Sequence, residues 1–397
     1  MKRRDFIINS SLASGMLFVP SFVRAFENVP KHKLGHKKMV VIQLSGGNDG
    51  LNTVVPFRND LYYKKRPKIA IDSKKLLHLN DELALPDYMS PLKNLYDSGY
   101  LSIINNVGYP NPVRSHFRSA DIWQTATDAN EYKSTGWLGN YLDAYKQESH
   151  MAIDVGNKLS LALKGADKSG IAAFDPKMLY RNANDPFFKK VLNKHHEDEH
   201  LSEDNLGYLY KQMIQAESSA SYIHQTSKTY TSTTTYPNNI LGKQLATTAG
   251  FINANLETKV YYVSMGGFDT HVNQTTKHEK LMTILSEGLE VFVNDLKKND
   301  TFKDTLILVF SEFGRRVEEN AGAGTDHGAA NNLFVLTENL KKPGAYNNVA
   351  DLSNLDNNGD LKYEIDFRQV YATVLEKWLE ADPKKVMGKS FDSLNFI

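Results

Sequence analysis

Met39–Leu44, MVVIQL, runs directly into Ser45-Gly46-Gly47-Asn48-Asp49-Gly50. A short continuous apolar run of this kind reads as a strand covered on both faces, as in a parallel sheet. The glycine-rich turn behind it exposes polar groups at the strand's carboxyl end, where open α/β sheets place their sites. The pattern recurs along the chain. Leu101–Val107 (LSIINNV) leads through Gly108-Tyr109-Pro110-Asn111-Pro112 to Arg114-Ser115-His116-Phe117 and a helix to about Thr127. Lys259–Ser264 (KVYYVS) leads to Met265-Gly266-Gly267-Phe268-Asp269-Thr270-His271. Asp304–Phe310 (DTLILVF) leads to Ser311-Glu312-Phe313-Gly314-Arg315, then to a loop with Gly324-Thr325-Asp326-His327-Gly328. Between them, residues 274–298 carry Leu281, Ile284, Leu285, Leu289, Phe292, Val293 and Leu296 at helical spacing. Asn332–Leu336 is a further apolar strand, and Asp366–Glu380 an amphipathic helix. Strands alternating with helices predict an α/β fold with a mixed, mostly parallel central sheet flanked by helices.

The less regular middle predicts helix over 130–148, short strands at Met151–Val155 and Leu159–Leu163, and helix again over 239–256. Residues 181–228 are polar and helical in pattern, and Thr226–Tyr236 (TSKTYTSTTTY) is a low-complexity loop. Residues of about 165–240 therefore read as a helical, low-complexity insertion in a main domain that spans 39–397.

Composition narrows the function classes. The 397 residues carry 47 Lys and Arg against 46 Asp and Glu, so there is no global basic field to hold nucleic acid. There are no cysteines, which removes disulfides, thiolate metal sites and thiol nucleophiles together. No apolar stretch is long enough for a stable membrane span. The first residues, MKRRDFIINSSLASGMLFVPSFVRA, join a basic start to a short apolar run diluted by serines and glycine. They read as a removable export signal over 1–25, followed by a loose basic linker over 26–38. The Arg3-Arg4 pair before Asp5-Phe6-Ile7 resembles the twin-arginine translocation consensus, which implies the twin-arginine export machinery as a partner and a periplasmic or secreted location. Lys2, Arg3, Arg4 and Arg24 against Asp5 give the signal a net +3, leaving −2 on the remainder of a chain whose total is +1.

Four strand ends thus present Asn48/Asp49, Ser115/His116, Asp269/His271 and Glu312, with Asp326/His327 in the loop after Glu312. Carboxylates and imidazoles without sulfur suit zinc, manganese or magnesium. Two such ions about 4 Å apart clamp a phosphoryl or sulfuryl oxygen in two-metal sites. Ser115 begins a helix, where backbone N–H groups favour an anion, and Arg114 and Arg315 lie beside the site to fork an oxyanion. Each residue has a structural alternative. The glycine-rich stretch could be only a turn, Ser115 a helix cap, His116 a core histidine, and Glu312 a partner for Arg315. His195-His196-Glu197-Asp198-Glu199-His200 reads as a solvated surface rather than a metal cluster. Asp356-Asn357-Asn358-Gly359-Asp360 resembles the start of a calcium loop, but Phe367 stands where an EF-hand needs its closing glutamate. There is no phosphate-cradling Walker loop and no Gly-x-Ser-x-Gly elbow.

The arginine-pair start, VIQLSGGNDGLNTVVP, RSHFRSADIWQT, SMGGFDTH, VFSEFGRR, GTDHG and DFRQVYATVLEKWL resemble, in that order, the exported bacterial family catalogued as domain of unknown function 1501. That family is similar in turn to the alkaline phosphatase and sulfatase superfamily. The resemblance implies an alkaline-phosphatase-like α/β fold and a one-metal or two-metal site. Asp49 would be the aspartate after the first strand, with Asn48 competing, and Ser115 the nucleophile at a helix start. Asp269 and His271 match an Asp-x-x-x-His pair at shorter spacing. Glu312-Phe313 stands where the superfamily has Asp-His, and either His327 is the later histidine or Asp326-His327 is itself that pair. The resulting expectation is an exported metal-dependent hydrolase of phosphate or sulfate esters, small-molecule or polymeric. Asp49, Asp269, His271, Glu312, Asp326 and His327 would be ligands, Ser115, Arg114 and Arg315 the catalytic set, and Asn48 and His116 secondary candidates. The alternative is a non-catalytic exported binding protein that keeps the fold and acts with a co-encoded exported partner of the kind the resemblance implies.

Overall fold

Every position of Lys38–Leu44 (β1) is buried, which is why the segment shows no polar alternation. Val40, Ile42 and Leu44 point into one apolar layer, and Met39 and Val41 into another on the opposite face. The computed structural model describes residues 36–194 and 205–397. The expected signal, residues 26–35 of the linker and the histidine-rich run at 195–200 lie outside the described residues.

The remaining strands are β2 (Leu76–His78), β3 (Ala84–Pro86), β4 (Leu101–Gly108), β5 (Ala152–Asp154), β6 (Ile171–Ala172), β7 (Val260–Met265), β8 (Thr305–Ser311), β9 (Asn331–Leu336), β10 (Gly344–Ala345) and β11 (Ile365–Asp366). Strands β2 and β3 make a small antiparallel pair of their own. The others form one sheet in the order β10-β4-β9-β8-β1-β7-β5-β6, with β11 also paired to β4. All pairings in it are parallel except those of β9, which runs against both β4 and β8. The expected mixed, mostly parallel sheet is present.

Five helices frame the site and the layers beneath it: α1 (Gly50–Thr53), α2 (His116–Thr125), α3 (Ile240–Asn253), α4 (Gln274–Lys298) and α5 (Phe367–Lys377). Leu245 of α3 and Leu285, Leu289 and Phe292 of α4 fill the first apolar layer. Trp123 of α2 and Tyr371 and Val374 of α5 fill the second. A capping box of Asp366 and Gln369 opens α5, satisfying backbone donors that the helix itself cannot.

Two local expectations change. Leu159–Leu163 is not a strand; its second half is a single 3-10 turn at Leu161–Leu163. The 165–240 segment is not wholly an excursion, because Ile171–Ala172 adds to the sheet as its edge strand. The low-complexity loop is held down by hydroxyls. Ser232, Thr234 and Tyr236 all bind the carboxylate of Asp295 on α4, at 3.2, 2.9 and 2.8 Å.

Register decides where chemistry can sit. Leu44 of β1 lies opposite Met265 of β7 on one side and Ser311 of β8 on the other. The three strands end in step, so the loops after them start side by side. Because β9 is antiparallel, the loop from β8 to β9 stays at this same end of the sheet. Beneath the site, Trp123 is stacked between Phe310 of β8, at 4.8 Å, and Phe367 of α5, at 4.3 Å. Trp123→Ala empties that stack and should cost about 3–5 kcal/mol of stability. The check is urea denaturation, with far-ultraviolet circular dichroism confirming that the secondary structure is retained.

Candidate metal centre

The strand-end loops touch backbone to backbone. Gly46 adopts φ of 119°, and a Cβ there would lie 2.5 Å from the amide nitrogen of Asp269. Only glycine permits both the conformation and the approach. The Gly46 N–H donates to Glu312 Oε1 at 2.7 Å, tying the turn after β1 to the residue after β8. The fully buried Arg315 guanidinium completes the junction. Nε donates to the Gly47 carbonyl at 2.6 Å and Nη1 to the Thr325 carbonyl at 2.9 Å. Nη2 reaches the Gly46 carbonyl, the Phe268 carbonyl at 2.9 Å and Asp269 Oδ1 at 2.9 Å.

Three histidines meet over this junction, from the start of α2 (His116), from the loop after β7 (His271) and from the loop before β9 (His327). Each has its Nδ1 against an oxygen acceptor. His116 faces Glu312 Oε1 at 3.0 Å, His271 faces Asp326 Oδ1 at 3.1 Å, and His327 faces the Arg114 carbonyl at 2.7 Å. These oxygens accept; Glu312 Oε1 already takes the Gly46 N–H. Each Nδ1 therefore carries the hydrogen, and each neutral ring offers its lone pair at Nε2. All three Nε2 atoms crowd Asp269 Oδ1, at 3.3 Å for His116, 2.9 Å for His271 and 3.4 Å for His327. His271 Nε2 and His327 Nε2 are 2.9 Å apart, a separation at which two lone pairs repel unless a proton or cation lies between them. The donor atoms of His116, Asp269 and His327 all lie within 4.8 Å of one another. His116 Nε2 is near Asp269 but out of line for a hydrogen bond, so it is buried without a partner.

The electrostatics reflect these contacts. Burial pushes Asp269 up, but the hydrogen bond and charge of Arg315, helped by His327, bring it down to about 2. The hydrogen bond to Glu312 raises His116 above the ordinary histidine value, against desolvation. His327 is lowered, chiefly by burial. Asp326 is lowered, first by its hydrogen bond from Asn320 and then by His271.

The structure thus brings together Asp269, His271, Glu312, Asp326 and His327, and draws in His116. Glu312 and Asp326 stand behind imidazoles rather than beside them. Asp49, expected as a ligand, is instead the N-cap of α1 in a buried ion pair. Arg66 Nη1 holds both its oxygens, at 2.9 and 2.7 Å, and Gln274 Nε2 adds a third bond. Asn48 is also buried behind the site, bonded to Thr53 at 2.9 Å and to His278 at 3.1 Å. Arg315 was expected to fork a substrate oxyanion, yet its guanidinium is buried and bound to four backbone carbonyls and Asp269. The Arg114 guanidinium is likewise engaged, by Asp360 and Asp356, and its carbonyl holds His327. Ser115 is exposed, one residue before His116, and makes no capping hydrogen bond.

Arg66, Gln274 and His278 are not among the residues expected from sequence. Nothing local marks Arg66. His278 falls on the buried stripe of α4 with Met282, Leu285 and Leu289, and that spacing was the available signal.

Residues 99–389 match the family model described as protein of unknown function, DUF1501. The chain belongs to this family. The matched stretch contains all three histidines, Asp269, Glu312 and Asp326, and excludes Asn48 and Asp49. No curated protein matches the chain by sequence. Among solved structures it is similar to the lipoteichoic acid synthase LtaP from Listeria monocytogenes, with 10% identity, TM-score 0.37, and coverage of 91% of this chain and 75% of that one. The PsFucS1 sulfatase from Pseudoalteromonas sp. gives 11% identity, TM-score 0.41 and coverage of 90% and 70%. The phosphonate monoester hydrolase SpPMH from Silicibacter pomeroyi gives 9%, 0.38, and 90% and 78%.

Desolvation holds His278 at about 4, below the ordinary 6.5, with Nδ1 unpartnered. The unfolded chain therefore binds this proton first as pH falls. Stability is full above about pH 6.5 and declines down to about pH 4, by up to about 3 kcal/mol from this residue. Asp154, raised to about 6 by burial, acts in the opposite sense over an overlapping range. The readout is therefore the difference between wild type and His278→Gln in urea melts at pH 7 and pH 4.5. The variant should lose less stability on acidification.

Proposed function

We propose that this protein is an exported, metal-dependent hydrolase of phosphate or sulfate esters. The observation that carries the reading is the meeting of three imidazole Nε2 atoms at Asp269 Oδ1, with every Nδ1 held by an acceptor. Metal-binding histidines are oriented in this way, with the far nitrogen fixed by a carboxylate or carbonyl. The Nε2 of His116, buried and without a hydrogen-bond partner, suits a ligand atom for such an ion. His116, Asp269, His271 and His327 would hold it, and Glu312 and Asp326 would fix the rings of His116 and His271. Three imidazoles and a carboxylate suit zinc or manganese better than magnesium, which takes oxygen donors.

When bound, such an ion supplies Lewis-acid polarisation of a phosphoryl or sulfuryl oxygen. The chain's own groups would do the rest. Ser115 offers an exposed hydroxyl at the N-terminus of α2, where helix N–H groups favour an anionic ester; its oxygen would bond to phosphorus or sulfur as the alcohol leaves with the hydroxyl proton, and water would then cleave the seryl ester and restore the hydroxyl. Arg315 would act at a distance, holding Asp269 ionised and locking the loops that carry the ligands. The basic leader with its arginine pair supports export, and no helix among the described residues is long and apolar enough to cross a membrane.

Elemental analysis of the purified chain should find about one transition metal per molecule. His116→Ala and His327→Ala should each lose it. Ser115→Ala should keep the metal while ester turnover falls by about a thousandfold or more. The panel should include phosphomonoesters, phosphodiesters and sulfate esters. A folded chain with neither metal nor turnover would be a non-catalytic exported binding protein instead.

A further inference from the structure

The charges around the histidine cluster do not match those of a doubly charged ester. Four segments build and support it: 114–118, 266–273, 311–328 and, gripping Arg114, 356–364. Together they carry five Lys and Arg against eight Asp and Glu, a net −3. The buried pair of Asp49 and Arg66 behind them adds nothing to that sum. A divalent cation held by the imidazoles brings the total only to −1.

The basic side chains of these segments are already engaged. Arg315 is buried and bound to backbone carbonyls and Asp269. Arg114 is held by Asp360 and Asp356. Arg118 turns away to the carbonyls of Asp128, Ala129 and Glu131, with its guanidinium 3.8 Å from the centre of the Tyr132 ring. Arg316 lies 3.7 Å from Asp360 Oδ1, and Lys362 donates to Asn354 at 2.6 Å. The charges that an incoming ligand meets are carboxylates instead, since the side chains of Asp269 and Asp326 are 50% and 55% exposed.

A phosphate monoester carries close to two negative charges above neutral pH, because its second pKa is about 6. A sulfate monoester or a phosphodiester carries one. Moving the second charge out of water is repaid only by an opposite charge or by charged hydrogen-bond donors, of which a free arginine fork is the strongest. These segments leave no such fork free.

We infer that the site selects singly charged esters, the sulfate monoesters and phosphodiesters, over phosphate monoester dianions. This selection rests on the proposed hydrolase activity and narrows its substrate class.

Three ligands with the same phenyl group separate charge from shape. Phenyl sulfate and methyl phenyl phosphate are singly charged, and phenyl phosphate is doubly charged at about pH 8. Each is titrated calorimetrically at that pH into zinc-loaded Ser115→Ala protein, where turnover does not interfere, into zinc-loaded wild type, and into wild type stripped with EDTA. The singly charged ligands should bind about tenfold or more tighter than phenyl phosphate in dilute buffer, and the gap should narrow at about 0.5 M salt. The stripped protein should bind none of the three. Val272→Lys adds a cation at an exposed position beside His271, and it should narrow the gap without added salt. Asp356→Asn, which keeps an acceptor for the amides of Asn358 and Asp360, should do the same. If one of these variants does not fold, the other decides. Equal or tighter binding of phenyl phosphate overturns the inference. So does a gap indifferent to salt and to the variants, binding of any ligand by the stripped protein, or no binding by the loaded one. Kinetics on wild type separate this selection from the hydrolase activity. Hydrolysis of phenyl phosphate at a kcat/KM equal to those of the other two removes the selection and leaves the hydrolase. The expected binding order without hydrolysis of any ligand leaves the selection and removes the hydrolase.

Discussion

The arrangement depends on one buried cation, the guanidinium of Arg315. The loops that leave these neighbouring strands share some hydrogen bonds, such as Phe268 N–H to the Ser45 carbonyl at 3.3 Å and Thr325 N–H to the Thr270 carbonyl at 3.4 Å, but these do not reach the carbonyls of Gly46, Gly47, Phe268 and Thr325. Arg315 places fixed donors among them, and so joins the turn after β1, the loop after β7 and the loop before β9. Its charge is balanced by Asp269, which is the carboxylate around which the histidines gather. A group with this many backbone partners cannot be exchanged for lysine, which lacks the planar fork. The same residue thus sets the geometry of the loops and the ionisation of the carboxylate between them.

The reversed strand has an equal part in the geometry. In a wholly parallel sheet, the chain after β8 would leave through a crossover and return at the far end. Here β9 turns straight back, which keeps Asp326 and His327 on the edge where β8 deposited Glu312. Strand β4 then lies on the other side of β9, so that α2, starting after β4, brings His116 to the same place. The order β4-β9-β8-β1-β7 therefore gathers, at one end, segments separated by more than two hundred residues.

Much of this was legible in the sequence, for a definite reason. Strands buried on both faces need unbroken apolar runs, and glycine is needed where a strand end must turn sharply against a neighbour. Both signals stand out in β1, β7 and β8. The long helix α4 announced itself at the same residues, 274–298, through its apolar stripe. Short elements were less visible: Leu161–Leu163 is as apolar as a strand but is wound into a single turn. At the site, residue types identified the neighbourhood without fixing the roles. A carboxylate on which imidazoles converge and one that holds the far nitrogen of a single imidazole look alike in a sequence, as Asp269 and Glu312 do. Asp49 could not be told from a ligand because its partner, Arg66, lies seventeen positions on in a stretch without motif. Arginines next to a site suggested anion binding, whereas folding turned Arg114 and Arg315 inward onto acids and carbonyls.

The two ends of the sheet have a consequence of another kind. Its outermost strands, Ile171–Ala172 on one side and Gly344–Ala345 on the other, are only two residues long. An open row of unpaired amides would be a template on which a second molecule could crystallise into fibrils. Among the described residues the outermost strands therefore offer a second chain only a short ladder to pair with, the kind of edge that disfavours growth by strand addition.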